Sequence, residues 1–223
     1  MKKNNIYLST GNKKLKSNEN TRFLIFNLPA CKTCPFKTKE CEKNCYARKA
    51  EKQYPGCLPC RERNQAETFN DNFVENMISI IEKRLKHHCY RGKLTLFRIH
   101  ESGDFYNLEY TKKWIDICKH FENDNRIVFL AYTKSLPYFK TLGYGKPGFP
   151  ANFIVRSSIW NDTKNVMLEL TKTLEMPIYT AYTKTELETQ KEKPGFFYCD
   201  CVDCGKCKAC YFNKYENIGC LIH

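Results

Sequence analysis

No stretch of this 223-residue chain approaches the roughly 20 consecutive apolar residues that a membrane-spanning helix needs, so no membrane partner is expected. Histidine is scarce: there are five, and none stands in an H-E-x-x-H or comparable arrangement, which argues against hydrolytic zinc chemistry of that kind. The lysine-rich opening MKKNNIYLSTGNKKLKSNEN is followed by no apolar region within signal-peptide distance, and the expected location is the cytoplasm. Apolar content itself is not lacking. Hydrophobic residues make up 42% of the chain and aromatics 14%, enough to offset the conformational entropy of folding in one globular unit. We therefore expect a single domain over residues 21–223, preceded by a polar, basic segment over residues 1–20 that has no apolar period and should be mobile or loosely draped.

What the chain has in excess is cysteine. In the expected compartment thiols stay reduced and lasting disulfides are rare, so the 14 cysteines point to metal. Six lie between Cys31 and Cys60 and six between Cys199 and Cys220, while Cys89 and Cys118 fall in helically patterned segments and read as ordinary buried thiols. The C-terminal run Cys199-x-Cys201-x2-Cys204-x2-Cys207-x2-Cys210 has the C-x2-C-x2-C spacing that lets successive thiolates wrap a cubane corner, with Cys199, Cys210 and Cys220 open as the fourth ligand. The N-terminal run is Cys31-x2-Cys34-x6-Cys41-x3-Cys45, followed by Cys57-x2-Cys60. One or two 4Fe-4S clusters fit these runs. Structural zinc, which needs only four thiolates per site, is the competing cofactor.

The formal charge of +13 suggests attraction to a polyanion, a nucleic acid or a nucleotide substrate, against the plainer reading of a solvated basic surface. Along the chain, Phe23–Phe26 reads as a strand delivering the first cysteine loop. Phe69, Phe73, Met77, Ile81 and Leu85 line one face of a long helix over residues 67–90. Strands over residues 94–99, 126–131, 153–156 and 178–181 alternate with helical segments over 136–142 and 165–174 and one carrying Trp114. Ala131-Tyr132-Thr133-Lys134 recurs as Ala181-Tyr182-Thr183-Lys184, which suggests pseudo-symmetric βα units. The fold class is α/β: a partial, TIM-like parallel barrel, the favoured form, or an open sheet, with cysteine-rich metal-binding segments at both ends.

Chemistry in such folds gathers at the C-terminal ends of the strands, where the first cysteine loop also falls. The polar residues there are the site candidates: His100, Glu101, Asp104, Lys134 and Arg156 for catalysis, and Glu101, Ser102, Gly103, Asp104, Tyr132 and Ser157 for cofactor binding. The competing reading for each is a helix cap.

Asn27-Leu28-Pro29-Ala30, Cys34-Pro35, Cys41-x3-Cys45-Tyr46-Ala47 and Arg98-x-His100-x-Ser102-Gly103-Asp104-Phe105-Tyr106 resemble the phage gene product 88 family. The resemblance implies a phage or mobile-element origin and no particular reaction. A looser resemblance, in the cysteine loop after the first strand of a βα series, is to radical S-adenosylmethionine enzymes. Their usual CxxxCxxC is not reproduced, since Tyr46, Ala47 and Arg48 follow Cys45 and a third ligand would come from Cys31 or Cys34. That resemblance implies S-adenosylmethionine as a cofactor, an electron donor as a partner, and Glu101 or Asp104 pairing with the methionine amino group. Two functions follow: a radical-type or related iron–sulfur redox enzyme, or a zinc- or cluster-stabilised nucleic-acid-binding or regulatory protein. The second would use Tyr198, Lys206, Lys208, Tyr211, Phe212 and Lys214.

Overall fold

Six- and seven-residue runs such as TRFLIF, LTLFRI and IVFLAYT are too short for helices and too apolar to leave either face in water, so they form strands covered on both sides. The computed structural model describes residues 5–200 and 202–222. In chain order the elements are β1 (Thr21–Phe26), α1 (Lys39–Lys43), α2 (Tyr46–Gln53), α3 (Cys57–Thr68), α4 (Phe73–Lys86), β2 (Leu94–Ile99), α5 (Leu108–His120), β3 (Ile127–Thr133) and α6 (Leu136–Thr141). There follow β4 (Phe153–Ile159), α7 (Asn165–Thr173), β5 (Ile178–Tyr182), α8 (Lys184–Lys191), β6 (Phe196–Tyr198), α9 (Cys204–Cys207) and β7 (Asn217–Leu221).

The seven strands form one all-parallel sheet in the order β1-β2-β3-β4-β5-β7-β6. It is open, with β1 and β6 as its edges, so of the two expected architectures the open sheet is the one found. Because right-handed crossovers between sequential neighbours fall on one side, the long helices share a face. There Leu24, Phe26, Phe97, Ile99, Phe129, Ala131, Phe153 and Val155 meet Phe73, Met77, Ile81 and Leu85 of α4 and Trp114 of α5. The alternate residues Phe23, Ile25, Leu96 and Leu130 point to the opposite, inner face, where Leu15 and Tyr211 cover them.

Three expectations need correction. Residues 5–20 are not loosely draped: Leu8 and Leu15 are buried, and Ser9 forms an antiparallel bridge with Ile25 that shields the edge strand β1. The long helix over 67–90 is broken between α3 and α4, leaving Phe69 63% exposed, because Asn70-Asp71-Asn72 turns the chain and Phe73 N donates to Asn70 O. The repeated tetrapeptides are not equivalent. Tyr132 stacks on Tyr179 at 4.3 Å, so Tyr179 and Ala181 share its face, and Tyr182 lies on the other, against Phe196.

Candidate metal centre

The first cysteine loop is fastened to the C-terminal edge of the sheet by the turn after β2. Leu28 N donates to Ser102 O, and the Ser102 hydroxyl returns a bond to Leu28 O at 2.8 Å. Asn27 Oδ1 accepts from the N–H groups of Glu101 and Ser102, and Asp104 N donates to Thr33 O. Gly103, at φ +84°, lies flat against Leu28 and Thr33. The buried Asp104 carboxylate accepts from Phe105 N at 2.8 Å, Thr133 Oγ1 at 2.6 Å and Lys134 N at 2.9 Å, joining the ends of β2 and β3. Burial pushes its pKa up, and these donors pull against that shift.

Four thiols are pairwise neighbours on this platform, although among the described residues no three of their sulfurs lie within 4.8 Å of one another. The Cys31 thiol is hydrogen-bonded to Cys45, Cys34 has Asp104, Cys31 and Cys41 as charged neighbours, and Cys41 has Lys134 and Cys45. Burial raises Cys31 to about 12 and raises Cys34 and Cys41 as well, with Lys134 opposing the shift at Cys41 through a hydrogen bond. Protonated in the metal-free chain, such thiols must release protons when a metal binds. As a donor set they are soft and suit zinc or iron–sulfur rather than hard cations. Cys57 and Cys60 stand apart in the first turn of α3, where Cys60 has Cys57, Arg61 and Arg63 as charged neighbours. Arg61 anchors that helix through Glu51 at 2.8 Å and Ala47 O at 3.1 Å, and Glu51 also accepts from Ala30 N at the start of the cysteine loop.

The model described as Gene product 88 matches residues 2–213, nearly the whole chain and all of the clamp and loop just described. The chain belongs to the gene product 88 family. No curated protein and no solved structure matches it. The phage family expected from the sequence is thus shown, and the family match covers every cysteine except Cys220.

Of the C-terminal thiols, Cys204 and Cys210 pack on the inner face of the sheet and Cys207 is exposed. Tyr198 pairs with Gly219, and Cys199 N donates to Gly219 O, which sets Cys199 beside Cys220 across β6 and β7. Asp203 caps α9 by accepting from the N–H groups of Gly205 and Lys206. Cys204 and Cys210 pack against Tyr132, whose hydroxyl hydrogen-bonds the Cys210 thiol, and Cys207 is a charged neighbour of Cys210. Burial raises the Cys210 pKa. Cys201 lies outside the described residues.

The other site candidates divide sharply. Lys134 and Ser157 reach a pocket of about 480 Å³ whose wall is the loop from Pro35 to Lys39, and Lys134 Nζ donates to Ser158 Oγ at 2.8 Å. The Ser157 hydroxyl itself is bound to Thr171 Oγ1 at 2.8 Å. Glu101 points away from this pocket, bonded by Asn12 Nδ2, and its carbonyl accepts from the Tyr46 hydroxyl at 2.6 Å. Tyr132 lies under the Arg98 guanidinium at 3.7 Å, on the inner face. Arg156 has no exposed surface and binds the C-terminal segment. His100, at φ +63°, sits among Phe26, Phe105, Tyr110 and Trp114, with Nε2 2.7 Å from the Tyr110 hydroxyl and Nδ1 without a partner. It is a core residue.

Burial and the neighbouring Arg98 depress the His100 pKa to about 3. An unfolded chain would take up this proton near pH 6.5, whereas the folded chain holds off until about pH 3, so folding loses stability as the pH falls between those values, by up to ~1.4 kcal/mol per pH unit from this group. Asparagine tolerates the left-handed backbone. His100→Asn should therefore lower stability at pH 7 yet flatten the loss between pH 6 and 4, as read by urea melts across that range.

Sequence reading passed over two features. Lys37 and Lys39 face the pocket but were lost among the many lysines. His87, His88 and Cys89 bring three potential ligand atoms within 4.8 Å of one another, and Cys89, expected to be a buried thiol, is exposed.

Proposed function

We propose that the chain is an iron–sulfur redox enzyme whose first cluster is held by Cys31, Cys34, Cys41 and Cys45 at the C-terminal edge of the sheet. The observation that carries this reading is the chain of neighbouring thiols Cys34, Cys31, Cys45 and Cys41, the last bonded to Lys134, beside a pocket walled by their own loop. A purely structural metal has no need of a pocket or of that edge. The cluster would supply one-electron chemistry. The chain's own residues do the rest: the turn from Glu101 to Asp104 fixes the loop, and Lys134, bonded to both Cys41 and Ser158, sets a positive charge between the thiols and the pocket. The C-terminal thiols would hold a second cluster, relaying electrons from a donor. S-adenosylmethionine is the less favoured pocket ligand, because Glu101 and Asp104, the carboxylates its amino group would need, are already bonded.

A second reading, a metal-stabilised nucleic-acid binder, is favoured by the exposed Phe212 and by Tyr198 under the Lys191 ammonium at 4.6 Å. Tyr211 is buried against the sheet and lost to that surface. Metal analysis separates the readings. Protein purified without oxygen should absorb broadly near ~400 nm and carry about four or eight irons per chain with matching sulfide. Cys34→Ala should remove about four of them and leave the C-terminal set. A colourless chain binding only zinc would overturn the enzyme reading.

A further inference from the structure

The pocket beside the first thiol group carries an excess of positive charge. Lys37, Lys39, Lys134 and Lys164 all line it, and the single carboxylate among the lining residues is Asp162. That carboxylate accepts from Glu40 N at 2.8 Å and from the Thr38 hydroxyl, stapling α1 to the loop after β4, and leaves the lysines in excess. The hydroxyls of Ser158 and Thr163 stand at the same wall, and Lys134 Nζ is held toward Ser158. Lys37 Nζ is turned to Cys31 O, so Lys39, Lys134 and Lys164 are the ammonium groups available, and three of them against one carboxylate with hydroxyls at the same wall suit a phosphate monoester.

The rest of the lining is apolar. Phe36, Leu136, Ile159, Val166 and Met167 give the cavity a largely hydrophobic surface, and about 480 Å³ is within the range of sites that enclose a small organic ligand. A bare phosphate would leave that surface unused, and a neutral aromatic molecule would leave the lysines unpaired. We infer that the pocket binds a phosphorylated small molecule with an aromatic body, of the chemical class of a nucleoside monophosphate. The phosphate would lie among the lysines and the ring against Phe36 and Met167. As the identity of the enzyme's substrate this rests on the redox reading above; as a binding site it stands on the pocket alone. It also explains why a ligand with a net positive charge, such as S-adenosylmethionine, is disfavoured there.

The test is calorimetric titration of the full chain, as purified without oxygen, with adenosine and guanosine 5′-monophosphates, the matching nucleosides and inorganic phosphate. At least one mononucleotide should bind at least tenfold more tightly than either its nucleoside or phosphate. The double substitution of Lys134→Gln and Lys164→Gln should weaken that binding at least tenfold, and Lys164→Gln alone, at an exposed position, should weaken it with an unchanged melting temperature. Mononucleotides that bind no better than phosphate, or as well to the lysine variants, would overturn the inference. The two proposals fail separately. Nucleotide binding by a zinc-only chain sinks the redox reading and keeps the pocket, whereas an iron–sulfur chain that ignores nucleotides does the reverse.

Discussion

Gly103→Ala should destabilise the fold by about 2–5 kcal/mol and strip the first metal site while leaving the C-terminal one loaded. The backbone at Gly103 is left-handed, φ +84°, which costs a side-chain-bearing residue ~1–2 kcal/mol by itself. The larger effect is collision. A Cβ there would stand 2.6 Å from Thr33 Oγ1 and 2.7 Å from Leu28 Cβ, and both neighbours are buried in the loop that carries Cys31 and Cys34. Relief requires that loop to move away from the sheet edge, taking two thiols from the group of four. Gly92→Ala is the control: its φ is +70°, but the space around it is open, so only the backbone cost applies. Denaturant melts and iron content, compared across the two variants, separate strain from displacement.

Arg156→Met should cost about 3–5 kcal/mol, the scale set by removing one partner from a buried, charged hydrogen-bond network. The guanidinium donates to Tyr215 O at 2.9 Å, Asn213 Oδ1 at 3.1 Å, and Cys210 O and Ile178 O at 3.4 Å each, and among the described residues no carboxylate pairs with it. Burial accordingly depresses its pKa. Without it, several buried acceptors lose their donor, and the segment from Cys210 to Tyr215 loses its hold on β4. The expected result is a lower denaturation midpoint together with loss of the C-terminal metal and retention of the N-terminal one. Arg156→Lys should rescue little, because a single ammonium cannot span four acceptors arranged around a planar fork.

Much of the architecture was legible because β1 to β3 announce themselves as short apolar runs buried on both faces, and sequential βα units leave few topologies. The helix α3 was not legible. Its sequence CLPCRERNQAET is polar, with Pro59 in the first turn, where proline is tolerated, and its buried contacts are Arg61 and Asn64 rather than an apolar stripe. At the site, the position of the cysteine loop followed from the strand before it. The role of the His100–Asp104 turn did not, since the residue types that bind a ligand's amino and carboxyl groups are also those that clamp backbone N–H groups. Only the partners decide, and here the partners of Ser102 and Asp104 are the protein's own. Arg156 misled for a related reason: an arginine at a strand end looks catalytic until the C-terminal segment is seen to bind it.

The long helices α4 and α5 lie on one face of the sheet, and the other is covered by segments from the two terminal parts of the chain, which hold each other. Cys204 N donates to Lys14 O, and Gly205 lies so close to Lys16 O that no side chain would fit. These partners are 190 residues apart (204 − 14). A contact so distant in sequence closes late in folding, after the intervening loop entropy has been overcome. On the ribosome, where the N-terminal part emerges first, the inner face would stay uncovered until the last cysteines are made. If the second thiol group binds metal as proposed, it would be accessible to incoming metal during that interval, and its filling would lock the segment around Lys14 to that around Cys204.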